Sequence, residues 1–155
     1  MDFQISALPL ASFAPLFSLS DAELAKRNIV RKVVQECPGT PCRVSLKDAE
    51  PGEKVLLLNY EHLPVESPYR ATHAIFVRED AVEAKPRVNE IPEVLGRRLL
   101  SLRAFDSKGM MLAADVVQGR EMQPAIEAMF ANPHVEYIHA HNAKPGCFAA
   151  RIDRA

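Results

Sequence analysis

The strongest constraint on the fold is a pattern of alternating side chains near the end of the chain. Two segments, 135–141 and 147–153, flank the loop Asn142–Gly146 and predict a β-hairpin. If His141 lies opposite Cys147, alternation collects one uniformly apolar set on a single face. That set is Ile138, Ala140, Phe148, Ala150 and Ile152. A shift of one residue would mix apolar and polar side chains, so we expect this register, with a hydrophobic core beneath that face.

The opposite face of the hairpin carries its polar side chains. They are Tyr137, His139, His141, Cys147 and Arg151. His139 and His141 are two residues apart on a strand, so they project the same way about 6.5–7 Å apart. The simplest interpretation is a solvated outer face of the sheet. A small anionic or polar ligand held by the histidines, Tyr137 and Arg151 is one alternative.

A metal site is the other alternative for this face. His139, His141 and Cys147 would supply nitrogen and sulfur ligands, which suit zinc or another divalent transition metal. Arg70, which follows Pro68-Tyr69, could present a forked donor to a carboxylate or phosphate. Each of these residues also has a purely structural interpretation.

The other polar candidates favour structural roles. His73 begins an apolar strand, where a histidine is commonly hydrogen-bonded. Glu61 and His62 are neighbours on a strand and point to opposite faces, so they are not a ready acid–base pair. Asp115 interrupts an apolar strand, and we expect it to pair with Arg98. Cys-x-x-Cys, Gly-x-Ser-x-Gly and phosphate-binding glycine motifs are all absent, so the sequence identifies no catalytic residue.

The remaining pattern predicts an α+β fold. Ser20 and Glu23 form a capping box at the start of a helix that we expect to run to Glu36. A second helix is expected over 124–131. The predicted strands cover 42–46, 54–61, 72–78, 98–105 and 110–117, besides the last hairpin. We expect one domain over residues 1–155, with a mostly antiparallel sheet and two main helices.

Composition limits the classes of function. The 19 basic and 20 acidic residues are intermixed and give a net charge of −1, which disfavours nucleic-acid binding. No apolar run approaches the roughly 20 residues that a transmembrane helix needs. Three cysteines without short paired spacing favour a reducing compartment. The apolar start, 1–17, lacks the basic residues of a signal peptide, so the expected location is the cytoplasm.

Several segments resemble a known bacterial family, the domain of unknown function 1203. They include Pro41-Cys42-Arg43-Val44-Ser45-Leu46, Leu56-Leu57-Leu58-Asn59-Tyr60-Glu61-His62, Pro68-Tyr69-Arg70, Ala74-Ile75-Phe76-Val77-Arg78 and the ending from Gly146-Cys147-Phe148 to Arg151. The resemblance covers essentially the whole chain. It implies a free-standing, cytosolic bacterial protein, and it implies no activity.

Three functions therefore remain open at the level of sequence. The favoured one is a non-enzymatic domain that binds a small anionic ligand in a polar pocket near the last hairpin. The second is a metal-dependent enzyme in which His139 and His141, with Cys147 or His73 as a further ligand, hold an ion that activates water. The third is a structural protein that forms a homodimer.

Overall fold

The computed structural model describes residues 1–155 and contains two β-sheets of five strands each. The strands are β1 (Phe3–Ser6), β2 (Val30–Val33), β3 (Pro41–Cys42), β4 (Lys47–Asp48), β5 (Lys54–Leu63), β6 (Ala71–Arg78), β7 (Leu99–Phe105), β8 (Met111–Gln118), β9 (Tyr137–Asn142) and β10 (Phe148–Arg154). The helices are α1 (Ala14–Phe17), α2 (Asp21–Ala25), α3 (Glu93–Gly96) and α4 (Met122–Phe130). Short 3₁₀ turns occupy Leu10–Ser12 and Gly119–Glu121.

The two sheets have different strand orders. Sheet 1 has the order β1-β10-β9-β7-β8 and is antiparallel throughout. Sheet 2 has the order β2-β5-β6-β3-β4, and its one parallel pairing joins β3 to β6. The expectation of an α+β fold built on mostly antiparallel strands is confirmed, although the strands divide between two sheets. β9 lies at the centre of sheet 1, so both of its neighbours complete its backbone hydrogen bonds.

The larger hydrophobic core lies between sheet 1 and the helices α3 and α4. Helix α4 contributes Met122, Ile126 and Phe130, which pack in one cluster with Ile138 and Ala140 of β9. This helix confirms the one expected over 124–131. No helix is both long enough and apolar enough to cross a lipid bilayer.

The expected helix from Ser20 to Glu36 is wrong beyond its first turns. The capping box of Ser20 and Glu23 is present, but α2 ends at Ala25. Asn28 then adopts a left-handed conformation with φ of 57°, which a helix cannot contain. The next residues form β2, which begins and ends with β-branched valines and pairs Val30 with Leu57. Valines that fitted a helical stripe equally suit a strand, and pairing with β5 decides the outcome.

The expected register of the last hairpin is also wrong, since beyond the loop Ile138 pairs with Ile152 instead of Ala150. His141 lies opposite Phe148 instead of Cys147, and the register shifts between Phe148 and Ala150. The extra residue, Ala149, forms a β-bulge that reverses which side chains share a face. Phe148 therefore lies on the histidine face and Cys147 does not. Nearer the strand ends, Ile138 and Ile152 do share the core face, as expected.

The expected ion pair between Asp115 and Arg98 does not form. Asp115 is exposed and lies opposite Leu102, while Arg98 pairs with Asp48 at 2.5 Å. The strand β8 is an edge strand whose outer positions meet water, so Asp115 needs no buried partner.

Candidate metal centre

The polar face of β9 is buried, because sheet 2 and Phe148 cover it. Tyr137, His139 and His141 are respectively 6, 2 and 0% exposed. The expectation of a solvated outer face for this hairpin is therefore wrong. Every side chain of β9 is buried on one side or the other.

Two further histidines reach this face from sheet 2. His62 is in phase along β5 with the buried Leu56 and Leu58, and so points inward with them. His73 on β6 is in phase with the buried Ile75. Strand alternation thus directs both imidazoles from sheet 2 towards those of β9. Four of the protein's five histidines form one group, which we call the histidine cluster: His62, His73, His139 and His141.

Three members of the histidine cluster have the spacing of metal ligands. One nitrogen each from His62, His139 and His141 lies within 4.8 Å of the other two. Nδ1 of His62 and Nδ1 of His139 are 3.3 Å apart. Two nitrogens bound to zinc at 2.0–2.1 Å with tetrahedral angles would be about 3.3–3.4 Å apart. The separation of this one pair matches that value, while the three nitrogens as a set lie within 4.8 Å of one another.

The hydrogen bond of His141 fixes which of its nitrogens is free. Nδ1 of His141 lies 3.0 Å from the carbonyl oxygen of Gly146. A carbonyl only accepts, so Nδ1 carries the proton and donates it. The neutral ring then presents a lone pair at Nε2, which is buried and has no hydrogen-bond partner. This pattern, with one nitrogen donating to a carbonyl and the other free, is typical of metal-binding histidines.

His73 contacts His62 on the side of the ring that faces away from His139. Nδ1 of His73 is 2.8 Å from Nε2 of His62, and the two rings stack with their centroids 4.8 Å apart. If Nε2 of His62 donates to His73, the lone pair of His62 lies at Nδ1, which faces His139. The tautomers of His62 and His141 then both direct lone pairs into the histidine cluster.

Burial keeps these imidazoles neutral. It lowers the pKa of His62 to about 4, with the charge of His73 acting in the same direction. Burial and the neighbouring His62 lower the pKa of His139 to about 2. Burial lowers the pKa of His141 to about 3, although its bond to Gly146 acts in the opposite direction. At neutral pH no proton has to leave before these nitrogens can bind a cation.

Two other side chains complete the surroundings of the histidine cluster. The ring of Phe148 stacks on His62, with centroids 5.0 Å apart, and closes the apolar side. Arg103 lies directly across the strand pair from His139, and so on the same face. Its Nε donates to Ser101 at 3.2 Å, and no carboxylate forms an ion pair with it. Arg103 thus places an unpaired positive charge beside the site.

A family model described as "Protein of unknown function (DUF1203)" matches residues 39–154. The chain belongs to the DUF1203 family. All four residues of the histidine cluster lie within the matched segment. No curated protein matches the chain, and no solved structure does.

The remaining candidate residues of this DUF1203 protein lie apart from the three converging nitrogens. The sulfur of Cys147 accepts hydrogen bonds from Arg43 and Asn142 instead of facing His139 and His141. The guanidinium of Arg151 pairs with Asp153 and lies 4.1 Å from the centre of the Tyr137 ring. Exposed Arg70 pairs with Glu61 at 3.0 Å.

Sequence reasoning about this DUF1203 chain missed His62 as a member of the cluster and named His73 only as an alternative further ligand. A usable signal was present: each histidine continues the alternation of buried apolar residues on its strand, after Leu58 and before Ile75. The same rule had already placed His139 and His141 on one face. What it could not supply is the packing of sheet 2 against that face.

Proposed function

We propose that this protein is a metal-dependent enzyme with a three-histidine transition-metal centre. The ligands are Nδ1 of His62, Nδ1 of His139 and Nε2 of His141. His73 and the carbonyl of Gly146 hold two of the ligand rings in the required tautomers. Zinc is the metal best suited to three neutral nitrogen ligands at this spacing.

One observation carries the proposal: the buried, unpaired Nε2 of His141. A buried acceptor without a partner is unfavourable by about 1–3 kcal/mol. His141, which carries this free lone pair, belongs to the same three-residue group as His62 and His139. A bound cation would satisfy all three lone pairs at once.

The competing explanation is a structural network of hydrogen-bonded histidines. His73 could donate to His62 and His62 to His139, which would account for the separations of 2.8 and 3.3 Å. That chain of donors leaves out His141, whose Nε2 would stay unpaired in the core. A metal ion would engage a nitrogen of His62, of His139 and of His141. The hydrogen-bond network engages only the first two of these three residues.

The proposed chemistry follows from the number of ligands. Three protein ligands leave the fourth position of a tetrahedral ion open for water, as in catalytic zinc sites. Neutral imidazoles would leave the full charge of such an ion in place, and the chemistry it would supply is a lower pKa of bound water, towards 7. The unpaired guanidinium of Arg103 favours a small anionic substrate beside that water. Burial of the cluster restricts the substrate to a small molecule.

Calorimetric titration of chelator-treated protein with zinc at pH 6 tests the proposal. We expect one zinc per chain and a binding enthalpy that does not change between buffers of different ionisation enthalpy. Ordinary histidines are about three-quarters protonated at pH 6 and would release about two protons from three ligands. The three proposed ligands, with pKa values of about 4, 2 and 3, have almost none to release.

Either of two results would count against the metal centre. Absence of zinc binding would support the structural network. Binding accompanied by release of about two protons would mean that the zinc ligands titrate as ordinary histidines, which contradicts a neutral, buried centre. A matched titration with magnesium should give no heat, because magnesium prefers oxygen ligands.

A further inference from the structure

A second site lies beside the loop between β9 and β10, at a cavity of about 620 Å³. Its lining contains four residues with fixed positive charge and no aspartate or glutamate: Arg43, Arg97, Arg98 and Lys144. Asp48 pairs with both Arg97 and Arg98 and reduces their charge. Lys144 is exposed and Arg43 has no carboxylate partner. The cavity therefore attracts anions.

Arg43 is the unusual member of this lining. It is 2% exposed, and its Nε donates to the carbonyl of Phe148 at 2.8 Å. Its Nη2 lies 3.0 Å from Sγ of Cys147. A buried guanidinium requires a compensating negative charge. Among the groups that accept hydrogen bonds from Arg43, only the sulfur of Cys147 can ionise.

The sulfur of Cys147 is surrounded by hydrogen-bond donors. Besides Arg43, Nδ2 of Asn142 donates to Sγ at 3.4 Å, so the sulfur accepts two hydrogen bonds. Asn142 also lines the cavity and is 5% exposed, and its Oδ1 is buried without a partner. This acceptor, on the amide that contacts the sulfur, offers an unfilled position to a hydroxyl or N–H of an entering molecule.

We propose that Cys147 is a nucleophilic thiolate that attacks small, negatively charged electrophiles entering this cavity. Sγ forms a bond to the electrophilic carbon, and the bond from that carbon to its leaving group breaks. The leaving group departs with the electron pair, so the negative charge passes from sulfur to the released anion. Arg43 stabilises the attacking thiolate, and Lys144 attracts the charge of the electrophile.

The exposed Cys37 provides an internal comparison for the reactivity of Cys147. Cys37 is exposed, and Cys42 is buried. The pKa of the Cys37 thiol is raised by desolvation and then by the Glu50 and Asp48 carboxylates. Accessibility alone would make Cys37 the most reactive cysteine, whereas a guanidinium-stabilised thiolate would make it Cys147.

Timed alkylation of the native protein at pH 7 tests the proposal, with iodoacetate and iodoacetamide in parallel and peptide mass spectrometry at each cysteine. We expect iodoacetate to modify Cys147 at least about tenfold faster than Cys37. The ratio of the iodoacetate rate to the iodoacetamide rate should also be higher at Cys147. Faster modification of Cys37 by both reagents would overturn the proposal.

A charge-reversing substitution distinguishes the attraction of anions by the cavity from the reactivity of the Cys147 thiol itself. Lys144→Glu should lower the iodoacetate rate at Cys147 several-fold and leave the iodoacetamide rate nearly unchanged. Lys108→Glu makes the same change of charge in the exposed turn between β7 and β8, outside the cavity, and should alter neither rate. Equal effects of the two substitutions would overturn the role of the cavity.

Discussion

Replacing His141 with alanine is expected to raise the dissociation constant for zinc by more than about 100-fold. Removing a residue that only hydrogen-bonds to a metal ligand weakens metal binding by about 10–100-fold. His141 is itself a proposed ligand, so its loss should have a larger effect. Its Nε2 is the lone pair that nothing else in the protein engages. Zinc titration of the chelator-treated variant, in competition with a chelator of known affinity, measures the change.

The matched control is His134→Ala. His134 is the fifth histidine of the chain, and it is exposed and outside the histidine cluster. Its removal should leave the affinity for zinc unchanged. Equal affinity of the His141 and His134 variants would exclude His141 as a ligand. Near-ultraviolet circular dichroism of both metal-free variants checks that the sheets still pack.

The second large effect is a loss of stability in mild acid when the metal is absent. In the unfolded chain the cluster histidines titrate near pH 6.5. In the folded protein the pKa values of His62, His139 and His141 are about 4, 2 and 3. Below pH 6.5 the unfolded chain therefore binds protons that the folded protein does not, and the free energy of unfolding decreases as the pH falls.

The size of this effect follows from the number of histidines. A histidine that titrates near pH 6.5 only in the unfolded chain contributes about 1.3 kcal/mol between pH 7 and pH 5.5, so three contribute about 4 kcal/mol. A typical domain is stable by about 5–15 kcal/mol, so the loss is a large fraction of the total. Above pH 6.5 the histidines are mostly neutral in the unfolded chain as well. A further increase in pH should therefore add little to the free energy of unfolding through these residues.

Urea unfolding of chelator-treated protein at pH 7.0 and 5.5 measures the difference. His134→Ala should retain the full pH dependence, and His62→Phe should lose about a third of it, because one of three histidines is removed. Carboxylates with ordinary pKa values stay mostly ionised at pH 5.5 and contribute little. A stability that is constant or rises on acidification would mean that the cluster histidines titrate normally.

The sequence predicted the separate faces of β9 correctly but not what covers them. Alternation assigned Ile138 and Ala140 to one face and His139 and His141 to the other, and this is how they lie. Whether the polar face met water depended on contacts with residues about 70 positions away. Local periodicity contains no information about such packing, so the buried cluster looked like a solvated surface.

Two local errors have identifiable physical causes. The bulge at Ala149 exchanges Cys147 and Phe148 between faces, and a run of small residues hides where the extra residue enters. The proposed sulfur ligand was therefore on the wrong side, and an aromatic ring took its place. In the first helix, the spacing of Val30 and Val33 fits a helix while their β-branched side chains favour a strand, and long-range pairing with β5 determines the result.

The central claim is that three neutral imidazoles from two sheets hold one metal ion. Elemental mass spectrometry of untagged protein, purified without added metal or chelator, tests it most directly. We predict close to one equivalent of zinc or another divalent transition metal per chain, and far less in the His141→Ala variant. Metal-free wild-type protein that also takes up no zinc on titration would contradict the claim.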